Sequence, residues 1–250
     1  MADAPDSDTR IAALQAELAA VRAEMQHFIF AVSHDLRAPL RHILSYAQLV
    51  QEDAGPQLSL EVQEFLATIV GSARHMGVLL DGLAALSRVG TVPLDISAVS
   101  LQELVSAVCG ELAAQHPERT IEWRIANDLP TVQADAALLR QALSEVLGNA
   151  VKFTAHRPLA QIEIAATSEA GSGDVTLRVW DNGAGYNSAL KDQLFRVFSR
   201  LHSANQFPGI GIGLVLTQKV VERLGGSVHL EGAQDAGCTV HLQLKACSAD

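Results

Sequence analysis

Apolar residues recur at Ile11, Leu14, Leu18, Val21, Met25, Phe28 and Val32, in alternating steps of three and four. A seam with that spacing predicts a helix that pairs with a copy of itself as a coiled coil. The helix is expected to run on to about Gln51, with Leu36, Leu40, Ile43, Ala47 and Val50 on one stripe. Asp53-Ala54-Gly55-Pro56-Gln57 reads as a turn. A second seam follows, through Leu58, Val62, Phe65, Ile69, Ser72, Met76, Leu79, Leu83 and Leu86. Two long helices with facing seams make a hairpin, and two hairpins make a dimeric four-helix bundle. Residues 1–9 are polar and read as disordered, and Gly90 to Pro93 breaks the helical pattern.

From residue 94 the pattern changes to mixed α/β. Strands are expected at 94–97, 120–125, 160–167, 175–181, 227–231 and 238–244, and helices at 101–114, 136–153 and 213–224. A glycine-interrupted loop is expected from Asn182 to about Gly211. This order predicts an α/β sandwich. The domain reading is therefore a coiled-coil signalling helix at 1–27, a helical hairpin at 28–90, a linker at 91–98 and an α/β sandwich domain at 99–250.

Composition narrows the partners. The net charge is 18 − 28 = −10, which argues against a nucleic-acid surface. No uninterrupted apolar run approaches the roughly 20 residues of a membrane span, and the acidic start, Met1-Ala2-Asp3-Ala4-Pro5-Asp6, lacks signal-peptide character. Cys109, Cys238 and Cys247 show no paired-ligand spacing. A reducing cytoplasm is the expected location.

Three segments carry candidate chemistry. The core-facing stripe after Asp35 leaves His34 on the opposite, solvent side, and Pro39 removes a backbone donor just past it. An exposed imidazole beside a carboxylate suits nucleophilic attack on phosphorus, with Asp35 orienting the ring and drawing off its proton. In the 136–153 helix, Glu145, Asn149 and Lys152 share one face, opposite a core of Leu139, Leu143, Val146, Leu147, Ala150 and Val151. A carboxylate, an amide and an ammonium so placed suit a magnesium–phosphate site. The apolar strand at 175–181 ends in Asp181-Asn182-Gly183-Ala184-Gly185, where a carboxylate can accept from an adenine amino group and the glycines allow close approach. Gly209-Ile210-Gly211-Ile212-Gly213 opens the next helix, an arrangement suited to anions.

The segments FAVSHDLRAPLRHI, VLGNAVKFT, DNGAGY, LFRVFSRLH and GIGIGL, in this order across about residues 28–245, resemble the sensor histidine kinases, the phytochrome-type bacterial kinases among them. The resemblance implies His34 as phosphoacceptor, Asp35 as its base, Asn149 as magnesium ligand, Lys152 as phosphate contact and Asp181 as adenine contact. Gly183, Gly185, Gly209, Gly211 and Gly213 would line an ATP site, and 186–211 would be a mobile lid from which Arg196 or Arg200 reaches the phosphates. It further implies a gyrase-type ATP-binding sandwich, ATP and Mg²⁺ as cofactors, a homodimer, and a response-regulator receiver domain as partner. It also implies an upstream sensor domain, which is expected to lie outside this sequence.

Three positions depart from the pattern. Glu145 stands where many members have Asn, so magnesium ligand, base, or both remain open for it. Ile210 replaces a common threonine, which removes a hydroxyl near the phosphates. Ala38 stands where bifunctional members carry Thr or Asn to position the water that dephosphorylates the regulator. The leading reading is autophosphorylation followed by phosphotransfer. The alternatives are a net response-regulator phosphatase and a non-catalytic nucleotide-binding dimerisation module.

Overall fold

The computed structural model describes residues 7–168, 173–203 and 205–247. The chain divides into two compact units between Val92 and Pro93.

The first unit is a helical hairpin. α1 runs Ser7–Ala54 and α2 runs Leu60–Thr91, joined by one 3-10 turn, Gly55–Gln57. Three expectations shift here. Residues 7–9 belong to α1, while the reading of 1–6 as disordered lies outside the described residues. Leu58 sits before α2, because Ser59 accepts the Val62 N–H at 3.4 Å and so starts the helix. Helix also continues to Thr91, past Gly90, whose missing Cβ leaves room for the Gln26 side chain.

Leu40, Ala47, Ala73, Ala84, Leu86 and Val89 form the dry interior of the hairpin. Arg37 donates through Nε and Nη2 to Asp81 Oδ1 at 3.2 and 2.9 Å, and Ser87 Oγ donates to the Gln26 carbonyl at 2.8 Å. α2 is by length and composition apolar enough to cross a bilayer, which the interrupted apolar pattern did not suggest. Much of the seam stays uncovered in one chain: Leu14, Leu18, Val21, Met25, Phe28, Ile43, Phe65, Ile69 and Met76 are all exposed.

The second unit is the α/β sandwich. Its strands are β1 (Ile96–Ser100), β2 (Ile121–Ile125), β3 (Thr131–Asp135), β4 (Ala160–Ser168), β5 (Asp174–Asp181), β6 (Ser227–Gly232) and β7 (Cys238–Lys245). Its helices are α3 (Leu101–Gln115), α4 (Ala136–Phe153) and α5 (Gly213–Arg223). Five strands form a sheet in the order β2-β4-β5-β7-β6, with β2 parallel to β4 and the other pairs antiparallel. β1 and β3 make a separate antiparallel pair.

Strand alternation gives the large sheet one dry face. Ile162 and Ile164 of β4, Val175, Leu177 and Val179 of β5, and Val240, Leu242 and Leu244 of β7 are buried. They meet Leu139, Leu143, Val146, Leu147 and Val151 of α4 and Leu216, Val220 and Val221 of α5, all buried. Each such side chain contributes about 1.5–3 kcal/mol. The other face carries ion pairs, Arg124 with Glu122 and Arg178 with Glu163.

Two differences from the expected elements stand out. β3 was not anticipated, and β1 occupies 96–100 rather than 94–97, so no eight-residue linker at 91–98 exists. The loop after β5 contains a short 3-10 turn, Ser188–Gln193.

β3 ends on Asp135, which caps α4: Oδ1 accepts from the N–H of Ala137 and of Leu138, both at 3.0 Å, and Oδ2 accepts from Asp95 N–H at 3.0 Å. The Asp95 N–H first, then that of Leu138, holds its carboxyl below the usual value of 3.8. Asp135→Ala is expected to destabilise this unit by about 1–2 kcal/mol, and Asp135→Asn by less. A folded pKa lowered in this way gives stability that is present above the ordinary carboxylate range and lost as pH falls below it. Both tryptophans, Trp123 and Trp180, lie in this unit, so urea unfolding followed by their fluorescence reads the effect directly.

Candidate functional site

α4 has a dry stripe and a second face that carries Glu145, Asn149 and Lys152. That second face lines a cavity of about 260 Å³. The far wall comes from the 185–214 segment, including Gly185, Arg200, His202, Phe207, Gly209, Gly211 and Gly213.

The glycines are placed where this wall touches α4. A Cβ on Gly213 would collide with the Glu145 carboxylate, and one on Gly209 would lie 3.4 Å from Lys152 Nζ. Gly211 adopts φ +75° and lies against the Ser199 carbonyl. Glycine at 213 therefore lets the chain run against the Glu145 carboxylate of α4, and glycine at 211 lets it pass the Ser199 carbonyl.

Burial sets the electrostatics. Desolvation raises the Glu145 pKa, partly offset by Lys152. Desolvation also lowers the Lys152 pKa, with Glu145 opposing and Arg200 adding to the drop. Both groups are thus held with part of their hydration stripped and with each other as counter-charge. Residues of these types could hold a polyanion with a divalent cation: Glu145 and Asn149 would offer oxygens to the metal, and Lys152 an ammonium to phosphate.

Asp181 closes the deep end. It is 5% exposed, and its Oδ1 accepts the Gly183 N–H at 2.8 Å. It pairs across the sheet with Cys238, whose side chain does line the cavity. Burial pushes the Asp181 carboxyl up to about 6, against the pull of the Gly183 and Cys238 N–H groups. Asp181 and Gly183 stand behind the cavity wall rather than in it.

Of the two arginines proposed for phosphates, Arg200 lines the cavity and donates to the Phe207 carbonyl at 2.6 Å, whereas Arg196 is exposed and outside the lining. Ile210 lines the cavity too.

An aromatic cluster over the pocket was not among the sequence-based expectations. Phe207, only 4% exposed, packs edge-on to Phe153 at 5.1 Å between ring centroids, and against His202 and His156 at the same distance. His202 Nε2 lies 2.8 Å from the Gly185 carbonyl, and Lys152 Nζ sits 4.4 Å over the Phe153 ring. A single apolar Phe207 in a glycine-rich stretch was the only hint available.

In the hairpin unit, His34 and Asp35 are exposed, their side chains 70% and 81% accessible. His34 Nδ1 lies 3.1 Å from Asp35 Oδ1. If Nδ1 carries the proton donated to Asp35, the ring's lone pair falls on Nε2.

Comparison with known proteins matches two family models. Residues 24–91 match the His Kinase A (phospho-acceptor) domain, and residues 134–247 match the histidine kinase-, DNA gyrase B- and HSP90-like ATPase family. The chain is 32% identical over 236 residues to a protein named cyanobacterial phytochrome B from Nostoc sp., covering 94% of this chain and 31% of that protein. The chain thus spans about a third of the length of such curated relatives. Among solved structures it resembles full-length ShkA, crystallised in complex with AMPPNP, with a TM-score of 0.64, 25% identity, and coverage of 89% of this chain and 47% of that one. The fold also matches the Acinetobacter baumannii histidine kinase AdeS, at TM-score 0.58 and 18% identity, over 85% of this chain and 98% of that one.

The raised pKa of Asp181 has a stability consequence. A carboxyl whose folded pKa lies above its ordinary 3.8 favours the fold below that value, and the contribution is lost as pH rises through about 6. At pH 7.5 the buried charge therefore opposes folding. Asp181→Asn keeps an oxygen for the Gly183 N–H and removes the charge. It should stabilise the ligand-free protein by about 2 kcal/mol at pH 7.5, and the gain should vanish near pH 4. Thermal melts at the two pH values read the difference, and an Asn variant less stable at pH 7.5 would refute it.

Proposed function

The chain belongs to the histidine kinases, and from that premise we propose that it transfers the γ-phosphoryl group of ATP to His34 and then passes it to an aspartate on a response-regulator receiver domain. The observation that carries this reading is the joint presence of an exposed His34–Asp35 pair and a desolvated Glu145–Asn149–Lys152 face. His34 Nε2 attacks the γ-phosphorus, and the P–O bond to ADP breaks with its electron pair leaving on ADP. Asp35 takes the Nδ1 proton of the resulting imidazolium.

Asp181 accepts from the adenine amino group, Gly183 and Gly185 allow the ring to approach, and Lys152 and Arg200 draw in the phosphates. Arg196 is given no role, because it is exposed and Arg200 already brings a guanidinium to the cavity. Glu145 and Asn149 would hold the magnesium ion, which when bound neutralises triphosphate charge during transfer. The reading of Glu145 as a base is subordinate to this, since its carboxylate already lies against Gly213 at the start of α5.

The working form is a homodimer. The exposed seam from Leu14 through Phe28 on α1, with Phe65, Ile69 and Met76 on α2, supplies the surface for a second hairpin and a coiled coil at residues 7–27. Covering that seam with a second copy also accounts for the apolarity of α2, so the module is read as cytoplasmic and without a membrane span. Net phosphatase activity is not favoured: Ala38 has no side-chain group to hold a water. A silent module is not favoured either, because the phosphoacceptor pair is intact.

The test is incubation with γ-labelled ATP and Mg²⁺. Wild type should acquire an acid-labile, alkali-stable label, and His34→Gln should acquire none. Equal labelling of the two would remove His34 as acceptor. Phe28→Glu placed in the seam should shift the sedimenting species from twice 26.6 kDa toward the monomer, by setting two like charges against each other across the dimer.

A further inference from the structure

The loop that carries Asp181 to Gly185 is tied at its start to β4, where Asn182 N–H donates to the Gln161 carbonyl at 3.2 Å and its Oδ1 accepts the Gln161 N–H at 3.0 Å. Beyond Asn182 its backbone leans on the end of α4 and on the β6–β7 turn. Ala184 N–H donates to the Phe153 carbonyl at 3.1 Å, and the Asp235 N–H donates to the Ala184 carbonyl at 2.7 Å. Asp235 belongs to the β6–β7 turn and has φ +62°. That turn presses on the loop at Gly237, where a Cβ would collide with the Asp181 carbonyl. Two irregular segments thus lie against each other, and both expose backbone carbonyls.

One side chain joins them. Arg157, just past α4, donates from Nε to the Asn182 carbonyl at 2.8 Å and from Nη2 to the Gly183 carbonyl at 3.1 Å. The same Nη2 reaches the Asp235 carbonyl at 2.9 Å. A guanidinium presents its N–H groups in a rigid planar fork, so three carbonyls bound together have their relative positions fixed. Lysine, with a single ammonium on a flexible stem, cannot fix them in that way.

We infer that Arg157 is a positioning residue for the adenine end of the nucleotide site: it touches no substrate and fixes the loop that does. This rests on the reading of the cavity as an ATP site. Arg119 provides the contrast. It donates to the Val151 and Thr154 carbonyls at the end of α4 and makes no bond to the adenine loop. Its loss should loosen the fold without singling out the base.

The experiment uses the full chain, with wild type, Arg157→Ala, Arg157→Lys and Arg119→Ala. Autophosphorylation is followed against ATP concentration, and inorganic tripolyphosphate serves as a competitor that lacks the base. Arg157→Ala should raise the KM for ATP about tenfold, the equivalent of about 1.4 kcal/mol. Its limiting rate should stay within about twofold of wild type, and inhibition by tripolyphosphate should be unchanged. Millimolar methylguanidinium should lower the KM again. If Arg157→Ala does not fold, Arg157→Lys carries the test, with a smaller rise in KM at unchanged tripolyphosphate inhibition. An unchanged KM overturns the proposal, as does equal weakening of ATP and tripolyphosphate, or a change in Arg119→Ala that matches Arg157→Ala. A wild type that neither binds ATP nor takes up label overturns the kinase reading itself, whereas an active wild type with an unaffected Arg157 variant overturns only the positioning role.

Discussion

The sheet unit is organised by the demand that α4 be dry on one side and charged on the other. Leu139, Leu143 and Leu147 are fully buried against the sheet, while Glu145 and Lys152 sit within the same helix, partly stripped of water. A helix cannot roll to relieve the charges without pulling its leucines out of the core. Asp135 fixes its start and Arg119 its end, so the polar face is aimed at the cavity by apolar packing rather than by any bond of its own. The glycine at 213 follows from the same demand. Any side chain at Gly213 would meet the Glu145 carboxylate, so the facing segment must be backbone there.

The hairpin obeys a different constraint. A pair of helices can bury one stripe on each, and here Leu40, Ala47, Ala73 and Ala84 fill the small space between them. The remaining seam residues face outward, with nothing among the described residues of the hairpin to cover them. Leaving so many large apolar side chains outside is the reverse of a self-sufficient hairpin, in which the bulkier side chains supply the core. Arg37 and Asp81 hold the register one turn from His34, which stays exposed on the side away from the apolar seam.

Much of this was legible in the sequence because periodicity reports which face is wet. The 3.6-residue period of α4 separates Glu145, Asn149 and Lys152 from the leucines, and the apolar run at 175–181 marks Asp181 as the carboxylate at a strand end. What was not legible has a common cause. β3 is five residues long, its Gln133 breaks the apolar pattern, and its partner β1 lies some 35 residues away in sequence. Arg157 acts on carbonyl oxygens, which every residue possesses, so no residue type marks its targets. Phe207 depends on the path of a loop without regular structure. Periodicity speaks for side chains on regular elements and is silent where function rests on backbone atoms.

The groups left energetically incomplete then point to what the protein binds. Asp181 is ionised at neutral pH against the cost of burial, which is a poor arrangement for an empty pocket and a good one for an acceptor awaiting an N–H donor. Glu145 and Lys152 are short of hydration in a cavity that a phosphate chain and a divalent cation would fill. The α1 and α2 seam is short of a surface to bury against. On the proposed function, each deficit would be met by a different partner: base, metal–phosphate and second subunit. Relief of each comes only on binding, so the binding free energy is partly the removal of penalties already present in the free chain. On that argument, the three deficits are the part of the fold's stability given up for function.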